Sequence, residues 1–377
     1  MSIVPPSVPA QAVDIDGLPV GPGAVAPPPP AEPWARRWGP ELFGTPWRAI
    51  ASAVLLVLVA WAAAHAVDWA VLRAVFRPDA DACRAPGQGA CWGVIAEKWR
   101  PLLFGRYPYD AQWRPAVAVI VLSAVTMLSA WPRTWRWWLA PLWVGALALF
   151  VALMFGGVAG LEPVPTHRWG GLPLTIGLAV VALAAAFPLA LLLALGRRSR
   201  WPAARALCAT YIELVRGVPL ISVLFMASFL LPLLWPAGWQ PDVLIRVLAG
   251  LALFVAAYMA EIVRGGLQAV PRGQVDAAMA LGFGRWPVQR DIVLPQALRL
   301  VVPALTNTVV GTLKDTSLVT VVGLFELTGA LGLALGGDPT WRPFYLEGYL
   351  FIAVVYWAMC FGLSRYSAWL ERRLAAG

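Results

Sequence analysis

Apolar residues along this chain occur in long unbroken runs, without the strict alternation of apolar and polar residues that marks barrel strands. A helix that crosses the hydrocarbon core of a bilayer needs about 20 mostly apolar residues. Runs near that length predict transmembrane helices at 49–67, 115–131, 137–160, 172–195, 219–234, 243–262, 300–324 and 346–363.

The composition places most of the chain in lipid. Hydrophobic residues make up 60% of the 377 residues, charged residues only 13%, and the mean hydropathy is +0.69. A soluble domain of this length cannot bury so much apolar surface, and in lipid only helices or closed barrels satisfy their backbone hydrogen bonds. We therefore predict an all-α, polytopic integral membrane protein with about eight transmembrane helices.

Basic residues in short loops predict which side of the membrane each loop faces. They precede the first predicted span and follow the second, fourth, sixth and eighth, so we expect both termini to be cytoplasmic. The loop 68–114 also carries basic residues, but it is long and contains acidic residues, and we place it outside, in the periplasm. The net charge of +9 is scattered over separate loops, which argues against nucleic-acid binding. The marker residues are Arg36, Arg37, Arg48, Arg133, Arg136, Arg197, Arg198, Arg200, Arg205, Arg365, Arg372 and Arg373, with the basic run from Arg264 to Arg299.

Changes in composition along the sequence divide the chain into three parts. Residues 1–46 are rich in Pro and Gly and predict a disordered cytoplasmic tail. Residues 47–165 form a three-helix extension and 166–377 the core.

Cys83 and Cys91 lie in the loop placed outside, where either a disulfide or two free thiols is possible. The two histidines stand far apart, and no spacing indicates a metal site.

A polar segment at 264–298 separates the sixth and seventh predicted spans. Asp276 lies in a short helix of small and apolar residues, Gly282 ends that helix, and Gly284 and Pro287 permit a sharp turn. A second short helix then begins and meets Pro295. We expect a hairpin that lies across the cytoplasmic face and presents its apolar side outward.

This hairpin resembles the EAA loop of ABC importer permeases, in which Glu-Ala-Ala is followed by three residues, Gly, nine residues, and Ile-x-Leu-Pro. Only the acid departs, and the shorter Asp suits helix capping better than a reach to a partner. The resemblance implies a coupling helix that sits in a groove of a separate ATPase subunit. The matching residues are Asp276, Ala277, Ala278, Gly282, Ile292, Leu294 and Pro295.

Other segments are similar to the polar and general amino acid permeases within that family. The stretch "YIELVRGVPLISVLF" carries the Glu-hydrophobic-hydrophobic-Arg-Gly-x-Pro signature, and segments from Ala260 and Leu313 are similar to two more of its motifs. The resemblance covers about 172–371 and implies a type I importer core of five helices. It further implies structural or gating roles for Glu213, Arg216, Gly217, Pro219, Glu261 and Arg264.

The same resemblance implies a set of partners for this chain. We expect two ATPase subunits that bind ATP and Mg, a second, similar but non-identical permease, and a periplasmic binding protein that delivers L-amino acids. This chain has no cofactor of its own: its two lysines, Lys98 and Lys314, follow Glu97 and Leu313, so the Gly-Lys pair of a phosphate-binding loop does not occur.

The seventh predicted span carries polar residues that are costly in lipid and therefore indicate function. Adjacent side chains on a helix point about 100° apart, so Lys314 and Asp315 need separate partners. One hypothesis is that they bind the two charged halves of an amino acid. The other is that they pair with Glu213, Arg216, Glu261 or Arg264 to hold the bundle together. The substrate-pathway candidates are Asn307, Lys314, Asp315, Thr316 and Ser317.

Two other functional classes were weighed against an ABC permease. A secondary transporter or channel would also place polar residues in its spans, but it has no need of the hairpin. A membrane enzyme would need clustered acids, histidines or a nucleophile, and the sequence shows no such constellation. We therefore predict a transport subunit that is not itself an enzyme.

Overall fold

The computed structural model describes residues 42–131, 134, 136–234, 236 and 240–375, and the regular secondary structure in this part is helical. Six helices are long and apolar enough to cross a membrane. A seventh span results if Pro202–Gly217 and Leu220–Leu234, which meet at 106°, count as one. The all-α membrane class is confirmed, but the count of eight is not, because the third predicted span forms the helix Leu139–Phe155 of only 17 residues.

The structure divides into two units at Leu72. In the first unit, helix α1 (Pro46–Val67) continues into the π-helical turn Asp68–Leu72. Thr45 caps α1 by accepting a hydrogen bond from the Arg48 amide. No residue of α1 is buried, which suits a helix in lipid. The predicted tail, 1–46, lies almost entirely outside the described residues.

The second unit, Arg73–Gly377, contains the remaining described helices. The π-helical turns Met226–Leu230 and Val288–Val293 each connect two consecutive α-helices. The 3₁₀ segment Thr316–Val322 continues from the end of another α-helix. The helices are α2 (Ala80–Arg84), α3 (Gly93–Phe104), α4 (Trp113–Ser129), α5 (Leu139–Phe155), α6 (Gly171–Arg197), α7 (Pro202–Gly217), α8 (Leu220–Phe225), α9 (Leu231–Leu234), α10 (Val243–Ala269), α11 (Arg272–Ala280), α12 (Arg285–Pro287), α13 (Leu294–Asp315), α14 (Leu327–Gly336) and α15 (Tyr345–Ala375).

Helix α6 packs lengthwise along α10 and forms the centre of the second unit. Ala182, Ala186, Ala190 and Ala194 recur at every fourth position of α6, and all are buried. Small residues at this spacing let two helix backbones approach closely in a membrane, where packing and not the hydrophobic effect holds helices together. Both helices have 27 residues, or about 40 Å, and so exceed the hydrocarbon thickness of about 30 Å.

The two ends of α6 define the two ends of this bundle. At Arg197, α6 meets α7 and the end of α10, from which the hairpin follows. We call this the hairpin end. At Gly171, α6 meets residues 103–105, which belong to a folded segment of residues 73–112 that we call the cap. The hairpin and the cap therefore lie at opposite ends of α6.

The cap is fixed to α14 and α15 by apolar and polar contacts. Val94 and Leu102 share a buried cluster with leucines of α14. The Lys98 ammonium lies 2.7 Å from the Asp338 carboxylate and, by hydrogen bonding, holds the pKa of that carboxyl below its usual range. The Cys91 amide donates to the buried Glu347 carboxylate of α15 at 2.9 Å. The cap is therefore part of the second unit and not a loose loop.

The structure contains a disulfide between Cys83 and Cys91, with the two Cα atoms 5.4 Å apart, and it leaves Cys208 and Cys360 as free thiols. We predict that denatured but unreduced protein incorporates two equivalents of iodoacetamide, and four after reduction. Intact mass spectrometry reads out both numbers. Four labels without reductant, on protein purified from an oxidising compartment, would contradict the pairing.

Candidate functional site

The hairpin consists of α11, a tight turn, and the start of a long helix. Helix α11 ends in a Schellman motif: the Phe283 amide donates to the Ala278 carbonyl and the Gly282 amide to the Met279 carbonyl. Gly282 has a φ of +85°, a conformation that residues with a Cβ rarely adopt, so glycine is required at this place. The predicted helix end at Gly282 is confirmed.

Two predictions about the hairpin are wrong. Asp276 does not cap α11, because the helix begins at Arg272 and Asp276 lies in its middle with its side chain exposed. The second short helix does not stop at Pro295 either. Arg285–Val322 is one helical path of 38 residues. Pro295 is tolerated where the π-helical turn Val288–Val293 changes to the α-helical part Leu294–Asp315, because the first turn of an α-helix needs no amide donor from that position.

The motif residues of the hairpin fall on two sides. Ala278 is buried with Val288 and Val293, while Ile292 and Leu294 are half-buried and pack against the same cluster. The exposed side carries apolar residues beside the charged Arg272, Asp276 and Arg285. The exposed apolar residues are Ala277, Met279, Leu281, Phe283 and Trp286.

A cluster of charged side chains lies between the hairpin and the bundle. The Glu261 carboxylate of α10 pairs with Arg264 one turn later, with Arg197 of α6 at 3.2 Å, and with Arg216 of α7 at 3.9 Å. Arg197 also pairs with Glu213 at 2.8 Å. Glu261 is the shared member and is mostly shielded, with 23% of its side chain exposed. The cluster therefore ties three helices together at the hairpin end.

The bundle-pairing hypothesis for Lys314 and Asp315 is not what the structure shows. Glu213, Arg216, Glu261 and Arg264 pair with one another and with Arg197, and no described ion pair involves Lys314 or Asp315. Sequence reasoning missed Arg197. Its position two residues after the fourth predicted span, 172–195, was the available signal, because such residues lie level with the ends of neighbouring spans.

Gly217 and Pro219 lie at the sharp bend between α7 and α8. Val218, between them, has an extended backbone, and Pro219 cannot donate a helical hydrogen bond. The fifth predicted span, 219–234, accordingly consists of α8, the π-helical turn and α9, and it meets α7 at 106°. Leu220, the first residue of α8, lines a cavity in the bundle.

The cavity has a volume of about 340 Å³, within the usual range for a small-molecule site. Its apolar wall comes from Leu220, Phe254 and Val255. Its polar wall comes from α13, where Thr308, Gly311, Thr312 and Asp315 follow the i, i+3, i+4, i+7 spacing of one helical face. Tyr258 of α10 completes the lining.

The chemistry of this wall is that of hydrogen-bond acceptors. The Thr308 hydroxyl donates to the Ala304 carbonyl and the Thr312 hydroxyl to the Thr308 carbonyl, so both oxygens keep their lone pairs free. No hydrogen bond or ion pair to the Asp315 carboxylate is found among the described residues. A carboxylate beside two accepting hydroxyl oxygens suits an ammonium group.

The other predicted substrate residues lie elsewhere. Thr316 is buried and its hydroxyl donates to the Leu313 carbonyl, while the Ser317 hydroxyl donates to the Lys314 carbonyl. Asn307 and Lys314, seven residues apart, are exposed on an adjoining face of α13. Of the five candidates, the structure thus brings only Asp315 to the cavity. The i, i+4, i+7 spacing of Thr308, Thr312 and Asp315 was the signal in the sequence that distinguishes the cavity-lining residues from the other polar residues of this span.

The cavity and the charged cluster are in contact through Tyr258. The Tyr258 hydroxyl donates to the Arg216 carbonyl at 3.4 Å, and the Arg216 guanidinium lies 5.6 Å from the centre of the Tyr258 ring. A movement of α7 at the hairpin end therefore acts directly on a residue of the cavity wall.

Comparison with known proteins relates the chain to membrane transport. Residues 186–376 match the family described as binding-protein-dependent transport system inner membrane component. The inner membrane amino-acid ABC transporter permease protein YhdY of Escherichia coli (strain K12) is 46% identical over 82% of this chain and 85% of its own. The glutamate/glutamine/aspartate/asparagine transport system permease protein BztC of Rhodobacter capsulatus is 34% identical over 93% and 96%. The crystal structure of an amino acid ABC transporter with histidines is 32% identical over 54% of this chain and 92% of that one, with a TM-score of 0.49.

The charged cluster yields a stability prediction. Glu261→Gln removes the charge that three arginines share, and we expect the free energy of unfolding to fall by about 1.5–3 kcal/mol, the range for a hydrogen bond to a charged group. Asp291→Asn is the matched control, because Asp291 forms an exposed pair with Arg290 alone, and solvent screens such pairs so that they contribute little. Denaturation of the purified protein in detergent measures both, and equal losses would contradict a special role for Glu261.

Proposed function

Because this chain belongs to the family of binding-protein-dependent transport system inner membrane components, and within it to the amino-acid ABC transporter permeases, we propose that it carries L-amino acids through the Asp315 cavity while an ATPase subunit moves the hairpin. The chain is a multi-pass inner membrane protein and a transport subunit, not an enzyme. The secondary-transporter alternative is not favoured, since the relatives are ABC permeases. The single observation that carries the proposal is the Asp315 face of α13 in the cavity.

The hairpin is the proposed docking site for the ATPase. Its exposed apolar residues Met279, Leu281 and Phe283 surround small residues that permit close approach, a surface that suits burial in a groove. ATP and Mg would bind to that partner, not to this chain. Because the hairpin continues without a break into α13, a rigid movement of the docked hairpin reaches the cavity.

The cavity supports an amino acid as cargo on chemical grounds. Asp315, Thr308 and Thr312 accept hydrogen bonds and suit the α-ammonium group, while Phe254, Val255 and Leu220 suit an apolar part. The lining offers no cation for the carboxylate. The relative from Rhodobacter capsulatus is named for glutamate, glutamine, aspartate and asparagine. A panel of those four is the first choice for a transport assay, with a periplasmic binding protein as the delivering partner.

The proposed orientation places the hairpin end and both termini in the cytoplasm and the cap in the periplasm. Basic residues in the loops support it, and so does the Cys83–Cys91 disulfide, because disulfides persist in oxidising compartments. The second permease, similar but not identical, would cover the exposed face of α13. Asn307 and Lys314 on that face are costly in lipid, and they favour contact with protein or water.

Asp315→Asn tests the cavity directly. In proteoliposomes that contain the assembled transporter, we expect uptake to fall about tenfold or more, because a charge-assisted hydrogen bond of about 1.5–3 kcal/mol is lost. Copurification of the ATPase should be unchanged. Asp242→Asn is the matched control, since Asp242 caps α10 and Asn caps equally well. Unchanged uptake in Asp315→Asn would remove Asp315 from the substrate pathway.

Cross-linking tests the hairpin. With Cys208 and Cys360 replaced by Ser, a cysteine at Leu281 should cross-link to the ATPase, because 79% of the Leu281 side chain is exposed at the hairpin tip. A cysteine at the exposed Tyr109, in the cap, should not. Yields are read from denaturing gels of intact membranes. A Tyr109 product with the ATPase, and none from Leu281, would reverse the proposed orientation.

A further inference from the structure

Glu326 is a completely buried carboxylate that neither the hairpin nor the cavity explains. It lies at the cap end, between the 3₁₀ segment Thr316–Val322 and helix α14. No lysine or arginine of the described chain is within ion-pair distance of it. A buried charge without a cation is costly unless hydrogen bonds surround it, so the local donors explain how it is tolerated.

Both oxygens of this carboxylate accept hydrogen bonds. Oε1 accepts from the amides of Thr328 and Gly329, at 2.8 and 3.2 Å, and from the Thr320 hydroxyl at 3.2 Å. Oε2 accepts from the Tyr356 hydroxyl at 2.7 Å and from the Thr175 hydroxyl at 3.1 Å. The two amides belong to the first turn of α14, so Glu326 is also the N-cap of that helix.

The donors come from separate parts of the bundle. Thr175 is on α6, Thr320 on the 3₁₀ segment, and Tyr356 on α15. The Glu326 carboxylate therefore connects α6 and α15 to the 3₁₀ segment that follows α13, and we call these contacts of Glu326 the joint. Two backbone amides reinforce the joint: the Gly171 amide donates to the Phe325 carbonyl at 3.0 Å, and the Leu327 amide donates to the Thr175 hydroxyl at 3.0 Å.

The joint is packed too tightly to shift by small amounts. Gly171 has a φ of +63°, and a Cβ at that position would lie 2.2 Å from the Leu103 carbonyl oxygen of the cap. The Arg106 guanidinium of the cap lies 5.1 Å from the Phe325 ring. The cap, α6 and the residue before Glu326 are therefore held against one another.

We infer that Glu326 is a positioning residue for transport, a role that rests on the function proposed for Asp315 and the hairpin: it fixes the far end of the cavity helix so that Asp315 stays in the cavity wall when the hairpin moves. The 3₁₀ segment begins directly after Asp315, and Thr320 within it is hydrogen-bonded to Glu326. If that end is loose, movement of α13 displaces Asp315 instead of opening the cavity. ATP is then hydrolysed without transfer of substrate.

The test uses the assembled transporter in proteoliposomes and measures amino acid uptake per ATP hydrolysed. Glu326→Gln keeps the size of the side chain but replaces one accepting oxygen with a donating NH₂ group. We expect uptake per ATP to fall about tenfold, with binding-protein-stimulated ATP hydrolysis retained. Tyr356→Phe, which removes one donor only, should show a smaller fall and serves if Glu326→Gln does not assemble.

Tyr345→Phe is the matched control. Tyr345 is also on α15 and its hydroxyl also bonds to α14, at the Gly332 carbonyl, but it does not touch Glu326. We expect its uptake per ATP to equal that of the native protein. An equal fall in Tyr345→Phe, or no fall in both Glu326→Gln and Tyr356→Phe, overturns the inference.

Two further measurements separate positioning from general stability and from the choice of cargo. Hydrogen exchange of the α14 amides, which needs no cargo, should be faster in Glu326→Gln than in Tyr345→Phe; equal exchange refutes the joint itself. The double variant with Asp315→Asn should lose no more uptake than Asp315→Asn alone, because both changes act on the same group. Additive losses mean that Glu326 acts elsewhere, and they overturn its role toward Asp315 while leaving the cavity proposal intact.

Discussion

The structure depends on one helical path, which begins at Arg285 in the hairpin and passes Asp315 in the cavity before it ends at Val322. In lipid a broken helix leaves amides and carbonyls without partners, so a span resists local bending. The π-helical turn Val288–Val293 and Pro295 lie near its start, where the hairpin leaves the bundle, and its 3₁₀ segment lies after Asp315. The stretch between them is α-helical, with Pro303 inside it, and it connects the hairpin to the cavity.

Charged groups of the core occupy three levels along that path, and each level handles its charge differently. At the hairpin end, Glu261 is surrounded by arginines, which neutralise it. At the cap end, Glu326 is surrounded by neutral donors, which hold it in one position. Asp315, between them, has neither kind of partner among the residues that the structure describes. Such a carboxylate is the one best placed to receive a cation from outside.

The cap gives the far end of the bundle a fixed reference. Its disulfide cross-links the cap internally, and its ion pair with Asp338 and its hydrogen bond to Glu347 attach it to α14 and α15. Its residues 103–105 pack against the start of α6. Within the second unit, the structure attaches the cap to α14, whose N-cap is Glu326, so the cap stabilises the joint around Glu326.

The sequence alone determined the membrane class, the position of most spans, the hairpin and its glycine. These features follow from local composition: about 20 apolar residues must cross a bilayer as a helix, and a left-handed turn requires glycine. Local sequence could not show that α7 and α8 meet at 106°, that the helix after the hairpin runs through Pro295, or that Asp276 lies inside its helix. It also could not show which of the five polar candidates in the seventh predicted span lines the cavity. Which face of α13 meets α10, and which donors reach Glu326 from α6 and α15, depends on residues distant in the chain: Tyr356 is 30 and Thr175 is 151 positions from Glu326. Only tertiary packing brings such residues together.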